Sequence, residues 1–93
     1  MRIIGTIPHP SLKISVFKMD GRISVKFENA GFEQTFKLGE DDRYSDLEAV
    51  QRWVDAPLIE SVLERMTDMH RSRLAADSRL FSHATDPEFE EIL

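Results

Sequence analysis

Between Leu12 and Leu38 the chain alternates apolar and polar residues in three runs, KISVFKM, RISVKFE and FEQTFKL, separated by Asp20-Gly21 and by Asn29-Ala30-Gly31. A period of two is the mark of a half-buried strand, and Asp-Gly is one of the few pairs that readily supplies the positive φ of a two-residue hairpin turn. The pattern predicts an antiparallel meander. Its register follows from the turn: Met19 faces Arg22, Phe17 faces Ser24, Val16 faces Val25 and Ile14 faces Phe27. Directly opposed residues share a face of the sheet. One face therefore collects Ile14, Val16, Ile23, Val25 and Phe27, with Lys18 at its rim, and the other collects Ser15, Phe17, Met19, Arg22, Ser24 and Lys26. The second hairpin sets Val25 against Phe36 and Ile23 against Leu38, so Phe32, Phe36 and Leu38 join the apolar face. A slip of one residue would put Glu33 and Thr35 there instead.

The flanking segments fit around this meander. Arg2 to Ile7 reads as a first strand, with Gly5 marking a bulge or a close backbone approach, and Pro8-His9-Pro10-Ser11 forbids regular structure. Beyond the polar stretch Gly39 to Arg43, Ser45-Asp46-Leu47-Glu48 matches a capping box. It predicts a helix to about Val54 that buries Leu47, Val50, Trp53 and Val54. Asp55 or Ala56 caps a second helix, with Pro57 in its first turn. There Ile59, Val62, Leu63, Met66, Met69 and Arg73 form a stripe that runs to about Ala76. Leu80 and Phe81 extend the core, and Ser82-His83-Ala84-Thr85 breaks the helical pattern. The expected class is α+β: a four-stranded antiparallel β-meander followed by two helices packed on one face of the sheet. Residues 1–76 form that single domain, and residues 77–93 an acidic C-terminal tail, either disordered or a short docked helix.

Ninety-three residues suffice for one modest core. The net charge of −5 hides a split, because residues 1–39 carry six bases and three acids whereas residues 40–93 carry six bases and fourteen acids. An acidic balance argues against a nucleic acid engaging the whole molecule, since affinity for phosphate backbones needs a cationic footprint. The absence of cysteine removes disulfides, thiolate metal sites and cysteine nucleophiles. MRIIGTIPHP has one positive charge and an apolar run shorter than a signal-peptide core, and no stretch reaches transmembrane length. A cytoplasmic location is the expectation.

Residues capable of chemistry are scattered. His9, His70 and His83 fall in a proline loop, a helix and the tail, without metal-ligand spacing. Glu40-Asp41-Asp42 lacks the remaining positions of a calcium loop. Ser45 is read as a helix cap, and Gly5, Gly21, Gly31 and Gly39 are too dispersed for a phosphate loop. No catalytic residue, cofactor or metal is assigned, and the expected class is a non-enzymatic interaction module.

Two surfaces carry that expectation. The outward sheet face holds Phe17 and Met19 among Arg22, Lys26 and Lys37, and a homodimer that covers the two apolar side chains is a simple symmetric solution. The alternative use of this face is weak nucleic-acid binding, with Phe17 stacking a base and Arg22, Lys26 and Lys37 holding phosphates. The second surface is the tail, where Phe89, Ile92 and Leu93 stand among acids and could enter a partner's groove. The expected partner is a second copy of the chain or another protein, with nucleic acid second and no membrane.

Overall fold

The computed structural model describes residues 1–85, with side chains as far as residue 82. Four strands, β1 (Arg2–Ile7), β2 (Lys13–Met19), β3 (Arg22–Glu28) and β4 (Glu33–Gly39), lie side by side in chain order, each antiparallel to its neighbour. A 3-10 turn (Asp42–Tyr44) and two helices, α1 (Leu47–Trp53) and α2 (Ala56–Thr85), follow. The chain divides into a first unit, Met1–Leu63, and a second that begins at Glu64. The first unit holds the sheet, α1 and the opening turns of α2.

The β2–β3 hairpin has the register that its turn predicts, from Lys13 opposite Glu28 to Met19 opposite Arg22. Asp20 and Gly21 adopt φ of 51° and 78°, both in the left-handed region that the two-residue turn demands. At the next turn the Asn29 side chain substitutes for backbone: its Oδ1 accepts from the amides of Gly31 (2.9 Å) and Phe32 (2.8 Å). This is the local bonding for which asparagine is favoured in turns.

Ile14, Val16, Ile23, Val25 and Phe27 are all buried on one face, and Leu12 joins them from just before β2. Phe36 meets Phe27 edge-on at 5.7 Å between ring centroids and Trp53 of α1 at 5.6 Å. α1 also covers β1, for Leu47 lies so close to Gly5 that a Cβ there would stand 2.5 Å from Leu47 Cδ2. The start of α2 is held to the same face by the Gln34 side-chain amide, which donates to the Val62 carbonyl at 2.9 Å. Val50, Val54 and Val62 complete this core.

Several expectations need correction. Ile23 stands opposite Gly39, not Leu38, because β4 carries one extra residue between its pairings with Ser24 and Ile23. Gly39 has φ of 78°, so the glycine that follows Leu38 permits the irregularity. No capping box forms at Ser45. The 3-10 turn takes up that residue in a helical conformation, and Asp46 caps α1, its Oδ1 accepting from the Ala49 amide at 2.8 Å. At the second helix the choice falls on Asp55, whose carboxylate accepts from the Leu58 amide at 3.0 Å.

α2 also runs on to Thr85 instead of stopping near Ala76, so residues 77–85 continue that helix. Ser82 to Thr85 contains neither glycine nor proline, and the lower propensities of serine, histidine and threonine cost only a few tenths of a kcal/mol each. Leu80 and Phe81 do not extend the core, since both are more than 60% exposed. Leu63, placed in the buried stripe by its spacing, is exposed as well. Phe89, Ile92 and Leu93 lie outside the described residues.

Candidate interaction surface

By register, the side of the sheet turned away from α1 carries Thr6, Lys13, Phe17, Met19, Arg22, Ser24, Lys26, Glu28, Glu33, Thr35 and Lys37, with Ser15 buried among them. Its composition follows from the pleat, which sends alternate residues to opposite faces. A feature hidden from alternation adds to it. β1 carries one extra residue between Ile3, which pairs with Phe17, and Gly5, which pairs with Val16. Gly5 therefore faces the core and Ile3 the open side, where it is 58% exposed.

Phe17, Met19, Arg22 and Lys37 border one open groove of about 470 Å³, together with Met1 and Ser24. Met1 and Met19 are largely exposed, and Phe17 is half-buried. Lys26 is drawn to the other end of the face. Its Nζ lies 3.6 Å from Glu28 Oε1 and 3.9 Å from Glu33 Oε2, and Lys13 Nζ reaches the same Glu28 oxygen at 4.0 Å. Glu28 and Glu33 oppose each other directly, a repulsive arrangement that the intervening ammonium offsets. The same Nζ is 5.4 Å from the centre of the Phe17 ring, within cation–π range. The face thus has an ion-paired end around Lys26 and an apolar end bordered by Arg22 and Lys37. Among the described residues neither of those two cations is in an ion pair.

Another depression in the first unit, about 640 Å³, is a shallow one around the proline loop, bordered by Ile7, His9, Lys13 and Glu28. His9 Nδ1 accepts from the Ser11 amide at 3.0 Å, a bond internal to the loop. Tyr44 does not border it; that ring sits beneath the Arg43 guanidinium, 5.7 Å from ring centre to Cζ. Asp41 is taken up by the 3-10 turn. Its carboxylate accepts from the Arg43 amide and, through two oxygens, from the guanidinium, at distances down to 2.8 Å. The Arg43 side-chain bonds, helped by its backbone N–H, hold the Asp41 pKa down at about 2, and the carboxylate in turn raises that of Arg43. Among the described residues no three histidine or carboxylate side chains gather as a metal site, and no helix is long and apolar enough to cross a membrane.

Compared with known proteins, the chain matches no family model, no curated protein and no solved structure.

Proposed function

We propose that the protein is a small non-enzymatic interaction module that works as a homodimer through the outward face of its sheet. The observation that carries this reading is the apolar end of that face. Met1, Phe17 and Met19 border the open groove there, and Ile3 stands opposite Phe17 on the same face. A cluster of large apolar side chains on an open surface is the usual sign of a contact surface. Symmetric pairing of like chains is the commonest way to cover one. The distribution of charge favours protein over nucleic acid as the occupant. Of the three cations that could follow a phosphate backbone, Lys26 is held between Glu28 and Glu33, and both carboxylates would repel phosphate.

Light scattering after size exclusion tests the reading. The wild-type chain is expected to run as a dimer, and Met19→Asp and Phe17→Asp to run as monomers. Met19 is more than half exposed, so its replacement leaves the core intact. A wild-type chain that stays monomeric at high concentration, yet binds a labelled single-stranded oligonucleotide with steep salt dependence, would show instead that the face serves nucleic acid.

A further inference from the structure

We propose that the groove beside Phe17 and Met19 is filled by residues 86–93 of a second copy of the chain, so that the dimer closes by reciprocal exchange of these segments. The inference rests on the dimeric reading above and names what each copy inserts into the other. Two observations meet in it. The first is the groove, with apolar Met1, Phe17 and Met19 beside Arg22 and Lys37, cations that have no ion-pair partner among the described residues. The second is the composition of Asp86-Pro87-Glu88-Phe89-Glu90-Glu91-Ile92-Leu93: four acids, no base and three bulky apolar residues. The segment offers an anion for each cation and an apolar side chain for the groove. Stacking two identical grooves directly on each other would instead bring Arg22 and Lys37 of both copies together, a like-charge contact that interfaces avoid. With two segments and two grooves, reciprocal insertion satisfies both copies and closes the assembly without an open end.

The test is a charge swap in the full chain. Glu88→Lys, Glu90→Lys and Glu91→Lys together reverse the segment, and Arg22→Glu with Lys37→Glu reverses the groove. Each variant alone is expected to dimerise at least about tenfold more weakly than the wild type, the scale on which truncated charge pairs at interfaces act. An equimolar mixture of the two is expected to recover association, because each groove then meets a segment of opposite sign. In the wild type, a synthetic peptide of residues 86–93 in excess is expected to dissociate the dimer, a readout that depends on no variant folding correctly. Segment reversal that leaves the dimer intact, while Met19→Asp dissociates it, overturns the exchange and leaves the interaction face standing. Failure of the mixture to reassociate, or of the peptide to compete, also overturns it. A wild-type chain that is monomeric throughout overturns both readings.

Discussion

Ile3 stands directly opposite Phe17 across β1 and β2, on the face of the sheet turned away from α1. Two residues later along β1, Gly5 lies opposite Val16 on the covered face. The extra residue between them hands one large aliphatic side chain from the core to the surface. In contact terms, Ile3 belongs with Met19 and Phe17 and not with Val16.

Ile3→Ser is therefore expected to separate stability from association. With the side chain 58% exposed, the change in unfolding free energy should stay within about 0.5 kcal/mol, as for most surface substitutions. Dimerisation should weaken. Urea unfolding and light scattering on the same sample measure the two effects, and a large loss of stability would mean that Ile3 is packed inside.

Gly5→Ala should behave in the opposite way, destabilising the fold by about 1–3 kcal/mol, as overpacking does. The added methyl would lie 2.5 Å from Leu47 Cδ2. Shortening Leu47 opens that space, so Gly5→Ala should cost less in a Leu47→Ala background than in the wild type. A double-mutant cycle reads the coupling directly.

The start of α1 offers a paired comparison. Asp46→Ala should cost about 1 kcal/mol through loss of the bond to the Ala49 amide. Ser45→Ala should change stability by no more than about 0.5 kcal/mol, the ordinary surface effect. Equal losses at the two positions would restore the capping-box reading.

Asp41 should titrate well below an ordinary aspartate, at about pH 2 against 3.8, because Arg43 donates to its charged form. A depressed carboxylate stabilises the fold above its unfolded pKa and ceases to do so as pH falls through its folded one. The stability difference between wild type and Arg43→Gln should accordingly be present above pH 3.8 and vanish as pH falls to about 2. Side-chain carboxyl shifts followed by NMR should show the Asp41 midpoint moving up towards 3.8 in that variant. No movement would place the cause outside the pair.

The β2–β3 hairpin was readable residue by residue because Asp20-Gly21 admits one turn geometry and the runs on either side alternate strictly. Phe17, Met19, Arg22, Ser24 and Lys26 were placed on one face by that argument alone. Met1 and Ile3 were not. Two adjacent isoleucines, Ile3 and Ile4, give no alternation from which to choose a side, and Gly5 signals a bulge without saying which neighbour it turns outward. Leu38 misled for a related reason, since a glycine at positive φ let β4 gain a residue that the second hairpin's turn does not announce. Ser45 and Glu48 satisfied a motif, yet the local competitor Asp46 is an equally good cap one residue later. α2 is longer than its sequence pattern suggests because serine, histidine and threonine are weak helix formers and not breakers. The pairing of Lys26 with Glu28 and Glu33 was implicit in the register, but knowing which glutamates it reaches requires side-chain positions.

The bulge in β1 also decides which charges border the open face. If β1 paired regularly beyond Gly5, Ile4 would stand opposite Phe17 and Arg2 opposite Met19, so the extra residue keeps a third cation away from the apolar end. A shift of pairing in that one strand would change the charge of the proposed contact surface, with no residue of the central hairpin altered.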